Sequence, residues 1–539
     1  MTRSPDVSVV VAVYNTMPYL TECLNSLVRQ SIGLDRLEIV AVDDGSTDDS
    51  GAELDRFAER YPGVVRVLHQ ENSGGPAAPS NRALEVATGR FVYFIGSDDY
   101  LGDEALERMV ACADEHGSDI VVGKMVGTNG RYVHQKLYAK SDPDISLYAS
   151  SLPFTLANTK LFRRELVDKH RLRFPEDMPV GSDQPFTIEA CVRARKISVL
   201  GDYTYYYAVK RGDASNITYR ADHLARLRCA ARIMDHTAGL IEAGPQRDAV
   251  FKRHFEWELS KLLLDDFPAL PLETRRQVCE GLAALLEAYF TDGLRDATGV
   301  KRRVRFGLAQ RGAMAELTRA IADETDHGAP PFLLEGGRAF APYPGFRDAG
   351  VGLDDRWYEA REGVAGRLAA GTKLVSADWE QDGQQLTLAL KLRLGVTGDT
   401  SSAIVALAQG AMPQSADKPG ARKLPKDALR PKAVGEFTRE PAEGGAGILL
   451  GARIPVQPVR AKRGVRVYVD VAGSTYEIPV RTEGLPMPLA RRWGATTPHR
   501  VAASPNPKGR LVITTAPLWE PKLGMGALLR RTLSRSKRK

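Results

Sequence analysis

Segments typical of strands and of helices alternate through the first 125 residues, and this alternation limits the possible folds more than any other feature of the chain. Apolar, β-branched runs predict strands at residues 7–13, 37–42, 64–68, 91–95 and 120–122. Helical patterns lie between them, the second opening at residue 46 or 47 and ending near 61, the third covering about 80–87. The alternation predicts an α/β fold with a parallel, doubly wound sheet. Such sheets bind ligands at the carboxyl ends of their strands.

Three of the predicted strands are followed directly by polar residues. These are Tyr14 and Asn15 after the first strand, Asp43 and Asp44 after the second, and Ser97, Asp98 and Asp99 after the fourth. Neither GxGxxG nor GxxxxGK[ST] occurs, which excludes the common dinucleotide and P-loop ways of holding phosphate. Adjacent carboxylates suit Mg²⁺ or Mn²⁺, which bind one or two carboxylates together with diphosphate oxygens. We therefore expect a metal-held nucleotide at this edge.

The residue pattern changes twice further along the chain. Helical spacing prevails from about residue 221 to 326, and strand-like alternation follows beyond about residue 370. Residues 465–480 alternate on both sides of an Ala-Gly-Ser-Thr turn, which predicts a hairpin within a β-sandwich, and the Pro-, Lys- and Gly-rich residues 412–447 predict a long loop. The predicted parts are an α/β domain (1–220), a helical linker (221–335), a β-rich domain of the immunoglobulin or carbohydrate-binding kind (336–525) and a basic tail (526–539).

Charge is distributed unevenly over the 539 residues. Residues 1–150 contain 13 Lys and Arg against 23 Asp and Glu, a net charge of −10, whereas residues 401–539 contain 25 against 9, a net charge of +16. The acidic part does not suit nucleic acid and is compatible with a metal site. The basic part suits an anionic polymer or a membrane surface, with simple solubility as the alternative.

The cysteine content and the hydropathy of the sequence indicate the cellular location of the protein. The five cysteines are widely spaced and form no CxxC pair, so neither a disulfide framework nor a zinc site is expected. No apolar run approaches the roughly 18 to 20 residues of a membrane-spanning helix. We expect a cytoplasmic protein that can lie peripherally at the inner face of the membrane.

Three stretches together identify a family: VSVVVAVYN, VDDGSTDDS and NSGGPAAPSNRALEVATGRFVYFIGSDDYL. In this order and spacing they resemble the family 2 glycosyltransferases of the GT-A fold, over about residues 5–220, which implies a doubly wound mixed sheet. The resemblance implies that Asp44 reads the nucleotide base, that Tyr14 and Asn72 line the base pocket, and that Asp98 and Asp99 bind metal and ribose. It further places Ala12 and Ser97 among the nucleotide-sugar-binding residues.

Two positions depart from the family's motifs. The usual acidic motif is Asp-x-Asp-Asp, but Gly96 stands at its first position, which predicts weaker metal binding. The family commonly has Arg-Asn-x-Gly where this chain has Ser80-Asn81-Arg82-Ala83, so the role of that arginine is not carried over.

The family also needs a carboxylate that takes the proton of the acceptor hydroxyl. In FPEDMPVGSDQPFTIEACVRA the resemblance assigns this role to Asp183, while Glu176 and Asp177 are not assigned. The alternative is that Ser182 or Asp183 caps a helix that follows Pro185. Lys210 and Arg211 lie in a segment similar to the one that closes over the donor, where they would neutralise diphosphate; a solvated hairpin is the alternative.

The order of domains resembles the poly(polyol phosphate) glycosyltransferases of the Gram-positive wall teichoic acid pathway. This resemblance implies transfer of a sugar, an N-acetylhexosamine, from a UDP-sugar to an anionic cell-wall polymer, with a divalent metal and a homotrimer formed by the sandwich domains. One alternative is the same fold acting on a lipid-linked saccharide, with the basic tail on anionic lipid. Another is a catalytically weak glycan-binding scaffold.

Overall fold

The computed structural model describes residues 4–212, 222–361, 363–409, 421–425, 435–442, 447–457, 459–471, 473–493 and 498–519. The chain divides into two compact units, Met1–Thr298 and Gly299–Lys539. The break falls inside the segment 221–335, which the sequence predicts as a single linker. The predicted four-part division therefore stays a prediction.

The first unit is built on two sheets. Its strands are β1 (Val7–Val13), β2 (Leu37–Asp43), β3 (Val65–His69), β4 (Phe91–Gly96), β5 (Tyr100–Leu101), β6 (Ile120–Gly123), β7 (Met125–Thr128), β8 (Leu161–Arg163), β9 (Ile197–Leu200) and β10 (Tyr206–Val209). The main sheet has the order β3-β2-β1-β4-β8-β6-β9, and a small sheet has the order β5-β10-β7. All five predicted strands are confirmed. The mixed sheet that the resemblance implies is confirmed: the three-residue strand β8 runs antiparallel between β4 and β6, whereas the alternation alone predicts a parallel sheet.

Ten α-helices of the described residues belong to this unit. They are α1 (Tyr19–Val28), α2 (Ser50–Arg60), α3 (Ala77–Val86), α4 (Ala105–His116), α5 (Arg164–Lys169), α6 (Asp183–Arg193), α7 (His223–Leu240), α8 (Pro245–Arg253), α9 (Leu272–Tyr289) and α10 (Asp292–Ala297). The predicted start of α2 at residue 46 or 47 is wrong, because the N–H groups of Ser46 and Thr47 bind the side chains of Asp43 and Asn15 instead. The helix begins only at Ser50.

Both faces of the main sheet are buried, because successive side chains of each strand point to opposite faces. Val10, Val40 and Phe94 belong to an apolar cluster shared with α3, α6 and α7. Their neighbours in sequence, such as Val9 and Ile39, belong to a second cluster shared with α1, α2 and α4. Strands without a polar face explain the near-continuous apolar runs of the sequence.

In the described residues, the second unit combines four α-helices with three sheets, in which the strands pair antiparallel except for the parallel pair β11 and β15. The helices are α11 (Val300–Gln310), α12 (Met314–His327), α13 (Asp355–Tyr358) and α14 (Val364–Gly371). The strands are β11 (Phe332–Glu335), β12 (Arg338–Phe340), β13 (Lys373–Asp382), β14 (Gln385–Leu394), β15 (Val396–Gly398), β16 (Ile404–Gln409), β17 (Arg422–Lys423), β18 (Glu436–Pro441), β19 (Ile448–Pro455), β20 (Ala461–Val471), β21 (Ser474–Pro479), β22 (Arg491–Trp493), β23 (His499–Pro505) and β24 (Leu511–Pro517). One sheet has the order β13-β14-β19-β18, another β17-β21-β20-β24-β23-β22 with β16 beside β20, and a third β12-β11-β15.

The predictions for this unit have mixed outcomes. The hairpin at residues 465–480 is confirmed, since β20 and β21 pair antiparallel. The long loop predicted at residues 412–447 is wrong in part, because β17 and β18 lie in it and pair with β21 and β19. The basic tail lies outside the described residues.

Two expectations about the whole chain can be compared with the structure. All five cysteines are buried and free. Over the part of the chain that the structure describes, no helix has the length and apolar character needed to cross a membrane.

Candidate active site

The polar clusters that follow β1, β2 and β4 lie together at one edge of the main sheet. These three strands are parallel neighbours, so their carboxyl ends are side by side. The Thr16 hydroxyl lies 2.9 Å from the Ser97 hydroxyl, which joins the end of β1 to the end of β4. The register pairs Ala12 with Gly96 across the same two strands.

Asn15 fixes the end of β1 against the loop between β2 and α2. Its backbone is left-handed (φ 47°), a conformation that asparagine adopts more easily than most residues. Its side-chain carbonyl accepts hydrogen bonds from the backbone N–H groups of Thr47 (2.7 Å) and Asp48 (3.2 Å). The preceding residue, Tyr14, is 47% exposed, so its ring is accessible for stacking on a planar group.

Asp44 is buried and binds the loop that follows β3. Gln70 donates from its side-chain amide to the Asp44 carboxylate at 2.6 Å. Ser73 donates to the same carboxylate through its backbone N–H (3.1 Å) and its hydroxyl (2.9 Å). Asn72 donates to the Asp44 carbonyl at 3.0 Å. Asp44 and Asn72 therefore share one cluster, in which the loop already engages most of the carboxylate.

The neighbouring Asp43 has a different environment. Its carboxylate accepts from the Ser46 N–H at 3.0 Å and lies 3.0 Å from His69 Nδ1. Burial by itself would raise the pKa of Asp43, but the hydrogen bonds from Ser46 and His69 outweigh burial and lower it. Asp43 is thus an ionised residue that ties β2 to β3.

Asp98 forms an ion pair with Arg211. The Nε of Arg211 donates to Asp98 Oδ2 at 2.7 Å, and the two side chains are only 14–15% exposed. The Arg211 guanidinium also lies 5.9 Å from the centre of the Tyr19 ring. The Lys210 side chain is exposed, and its carbonyl accepts from Asn129 at 3.4 Å. Residues 213–220 of the predicted closing segment lie outside the described residues.

Asp99 is buried and holds β10 in place. Its carboxylate accepts from the Tyr206 hydroxyl and the Val209 N–H, both at 2.6 Å, and lies 3.3 Å from Arg131 Nη1. Burial and then the charge of Asp98 raise the pKa of Asp99 to about 6, although Arg131 opposes this shift. Both oxygens of Asp99 thus have protein partners.

The available oxygen donors decide which metal arrangement fits. Among the described residues, no three His, Cys, Asp or Glu side chains form a cluster able to hold a metal ion. A Cβ atom at Gly96 would lie 3.1 Å from Asp98 Oδ1 and 3.0 Å from Asp99 Oδ2, so this position faces both carboxylates. A divalent cation that takes its other ligands from diphosphate and water needs only one or two carboxylates. Asp98 fits that requirement.

Asp183 is the first residue of α6 and is partly exposed. The helix begins two residues before Pro185, not after it, and its N-cap residue Ser182 makes no side-chain capping hydrogen bond. Burial raises the pKa of the Asp183 carboxyl, while the charges of Arg253 and Lys160 lower it. These are features of a carboxylate in a restricted environment rather than of an ordinary cap.

A cavity of about 140 Å³ separates the loop after β3 from the loop before α6. It is lined by Ser73, Gly74, Gly75, Ala77, Ala78 and residues 176–179. Ser73 also binds Asp44, so the cavity adjoins the predicted base pocket. On the other side, Glu176 accepts from the Asn81 side chain at 2.8 Å.

Arg82, the arginine displaced from the family's position, binds the His69 carbonyl at 2.8 Å.

Sequence reasoning missed the residues that hold the predicted ones in place. Gln70 and Ser73 bind Asp44, whereas Arg131 and Tyr206 bind Asp99. Gln70 and Ser73 follow the predicted strand at residues 64–68, so their position could have been used to predict them, as it was for Asp44. Arg131 and Tyr206 lie 32 and 107 positions from Asp99, and no local pattern marks them.

Two protein-family models match separate parts of the chain. A model of glycosyl transferase family 2 matches residues 8–171, and a model of the glycosyl transferase TarS linker domain matches residues 221–321. The solved structure of S. aureus TarS 1–349 in complex with UDP-GlcNAc is 30% identical, with a TM-score of 0.55, over 63% of this chain and 97% of that chain. The chain belongs to the family 2 glycosyltransferases.

Curated relatives of this glycosyltransferase match about two fifths of its length. The poly(ribitol-phosphate) β-glucosyltransferase of Bacillus spizizenii is 42% identical over 214 residues, which are 40% of this chain and 34% of the relative. The poly(ribitol-phosphate) β-N-acetylglucosaminyltransferase TarS of Staphylococcus aureus is 42% identical over 204 residues, 38% of this chain and 35% of the relative. The match thus spans about a third of the length of these relatives.

A longer structure of S. aureus TarS extends the likeness of fold. It aligns with 95% of this chain and 86% of its own, at a TM-score of 0.60 and 22% identity. At that identity the likeness concerns the fold alone. It confirms a GT-A-like mixed sheet, a helical linker region and a C-terminal part rich in antiparallel sheets.

Proposed function

We propose that this glycosyltransferase moves an N-acetylhexosamine, with inversion, from its UDP-linked form to a hydroxyl of an anionic cell-wall polymer of the poly(ribitol phosphate) type. The observation that carries the proposal is the match over 97% of the TarS chain solved with UDP-GlcNAc. The candidate site supports it, because Asp44 and Asp98 lie within residues 8–171, which the model of glycosyl transferase family 2 matches.

The donor's nucleotide would bind at the ends of β1 and β2. Asp44 would accept a hydrogen bond from the base, and the accessible ring of Tyr14 would stack on it. Gln70 and Ser73 donate three hydrogen-bonding groups to Asp44, and a carboxylate has about four acceptor sites, so the base would add its hydrogen bond to those of the loop. The cavity beside Ser73 would take the sugar that leads from the nucleotide towards Asp183.

The departing diphosphate carries the charge that develops during transfer. We assign Asp98 to a divalent cation, Mn²⁺ or Mg²⁺, which when bound supplies positive charge to the diphosphate oxygens. Asp99 would support this site through its bonds to Tyr206 and Val209. Arg211, now bound to Asp98, would instead donate to a phosphate oxygen when the donor binds. Lys210 would add a second, exposed cation.

Asp183 would act as the general base. Its carboxylate takes the proton of the acceptor hydroxyl while the hydroxyl oxygen bonds to the anomeric carbon and the bond to UDP breaks. A single displacement inverts that carbon, and the word "beta" in the relatives' names agrees with the expected product. The pKa of Asp183 is raised by burial, so the carboxylate is a stronger base than one in water.

The basic second unit would hold the polymer through its phosphates. Residues 401–539 carry a net charge of +16, and attraction between exposed charges is long-ranged at low salt. Trimerisation through the C-terminal domain, a cytoplasmic location and peripheral contact with the membrane stay predictions.

A donor panel tests the proposed function. Purified protein with Mn²⁺ and poly(ribitol phosphate) is offered UDP-GlcNAc, UDP-GalNAc, UDP-glucose and GDP-mannose, and both nucleotide release and sugar on the polymer are measured. We expect sugar transfer from UDP-GlcNAc. A lipid-linked saccharide as the preferred acceptor would replace the polymer in this account, and nucleotide binding without turnover would indicate a glycan-binding scaffold.

A further inference from the structure

Arg253 binds the residue that follows the proposed base. Its Nη1 donates to Gln184 Oε1 at 2.7 Å across 69 positions of the chain. Arg253 is 8% exposed and Gln184 7%. Gln184 lies in the first turn of α6, directly after Asp183, and Arg253 is the last residue of α8. The contact therefore joins the helical segment to the turn that carries Asp183.

This turn lacks the usual local anchor. The N-cap residue of α6, Ser182, makes no side-chain hydrogen bond to the helix. It is preceded by Gly181 in a left-handed conformation (φ 72°), whose carbonyl accepts from the Gln184 N–H at 3.0 Å. A helix start without a side-chain cap depends more on contacts from other elements.

Arg253 is itself held in one orientation. Its Nη1 lies 3.0 Å from Glu258 Oε1, and its guanidinium lies 5.6 Å from the centre of the Trp257 ring. A charge-assisted hydrogen bond between buried groups fixes both distance and direction. Gln184 is thus bound to a rigid partner.

The charged groups around Asp183 come from three elements. Arg253 at the end of α8 and Lys160 before β8 are cations, and Glu258 after α8 is an anion. Lys160 is 1% exposed and donates to the carbonyls of Thr155 and Ala157. Arg253 is the charge that most strongly opposes the effect of burial on the Asp183 carboxyl.

We propose that Arg253 is a positioning residue for the transfer reaction: through Gln184 it fixes the first turn of α6 so that Asp183 meets the acceptor hydroxyl. The inference rests on the proposed function, in which Asp183 is the base. Arg253 acts through Gln184 and Asp183 and does not contact the reacting atoms.

Three variants of the full chain separate the hydrogen bond between Arg253 and Gln184 from the charge of Arg253. Gln184→Met removes the hydrogen bond and leaves the charge of Arg253. Arg253→Lys keeps the charge and alters the geometry. Arg253→Met removes both, and Glu258 keeps its ion pair with Lys261. Each is assayed for kcat, for KM of UDP-GlcNAc and for the pH profile of kcat, with thermal unfolding and UDP binding as tests of folding.

All three variants should lower kcat, by about 10- to 100-fold for Gln184→Met, because small misplacements of a catalytic group have effects of this size. The KM for UDP-GlcNAc should change by less than about threefold, since donor contacts remain. Only Arg253→Met should move the acid limb of the kcat profile to higher pH, because Arg253→Lys and Gln184→Met both keep a positive charge at position 253. The reason is that loss of a nearby positive charge raises the pKa of a carboxyl.

A purely structural role predicts a different pattern, with altered thermal unfolding but unchanged kcat, KM and pH profile of the folded protein. That result in Gln184→Met and Arg253→Lys would overturn the inference. Asp183→Asn separates this failure from failure of the proposed function. If Asp183→Asn loses transfer while the Arg253 and Gln184 variants behave like wild type, only the positioning role is wrong; if Asp183→Asn retains transfer, the assignment of the base is wrong.

Discussion

The Nε of Arg211 donates to Asp98 Oδ2 at 2.7 Å, so the two residues predicted to handle the charge of the donor's diphosphate are bound to each other. A cation at Asp98 and a phosphate near Arg211 would each replace one half of this ion pair. Donor and metal binding are therefore expected to be coupled, since each releases the partner that the other needs.

Asp98→Asn should remove most metal-dependent binding of UDP and lower kcat by about 10²-fold, the size expected when a preorganised charge is lost from an active site. Isothermal titration of Mn²⁺ in the presence and absence of UDP measures the effect. Asp99→Asn is the matched comparison, and we expect it mainly to lower thermal stability because it disrupts the bonds to Tyr206 and Val209. Unchanged metal dependence in Asp98→Asn would remove Asp98 from the metal site.

Gly96→Asp should tighten Mn²⁺ binding, because a side chain at this position faces the carboxylates of Asp98 and Asp99. Without metal, the added negative charge should lower thermal stability through repulsion. The predicted signature is therefore a larger increase of melting temperature on adding Mn²⁺ than in the wild type. Gly96→Asn controls for side-chain volume, and an equal response of both variants would refute the electrostatic explanation.

Asp44→Asn should weaken UDP binding by about 10- to 100-fold, since a hydrogen bond to a charged group contributes about 1.5 to 3 kcal/mol. The carboxylate of Asp44 now accepts hydrogen bonds from Gln70 and Ser73. A side-chain amide at this position would direct its own N–H group towards one of these donors. Fluorescence or calorimetric titration with UDP and with ADP checks the prediction. Equal loss for both nucleotides would indicate collapse of the loop rather than loss of base recognition.

Asp183→Asn should lower kcat by about 10²- to 10⁴-fold with little change in UDP affinity, because proton transfer is lost while donor contacts remain. Asp168→Asn, on the exposed face of α5, is a matched control that should retain activity. In the wild type, burial raises the pKa of Asp183, and the base must be ionised. Activity should therefore fall, as pH decreases, at a pH above the ordinary aspartate value of about 4.

A higher salt concentration should weaken binding of the polymer more than binding of the donor. If the basic second unit binds polymer phosphates, raising ionic strength above about 0.1 M should raise the KM for poly(ribitol phosphate), because exposed charges are screened beyond about 10 Å. The KM for UDP-GlcNAc should change less, since Asp44 and Asp98 are buried or nearly so. A polymer KM that does not respond to salt would favour solubility or membrane contact as the role of the basic C-terminus.

The strands of the main sheet were predictable because both faces of the sheet are buried, which leaves long apolar runs such as residues 7–13 and 91–95 in the sequence. The strand β8 could not be predicted, since it has only three residues and shows no recognisable alternation of apolar and polar side chains. The start of α2 failed because Asn15, from a different strand end, binds the N–H groups that would otherwise open the helix.

The candidate site shows the same limit. Residues that follow a strand directly, such as Asp44 and Asp98, could be predicted from position alone. Their partners could not, because Arg211 lies 113 positions from Asp98 and Arg253 lies 69 from Gln184, and only the fold brings them together. Roles that depend on such pairs are visible only in three dimensions.

The most direct test of this account is the anomeric configuration of the product formed from UDP-GlcNAc and poly(ribitol phosphate), read by NMR of the modified polymer with wild type and with Asp183→Asn. We predict β-linked N-acetylglucosamine on the polymer with the wild type and loss of this signal with Asp183→Asn. An α-linked product, or equal amounts of product from both proteins, would contradict a single displacement with Asp183 as its base.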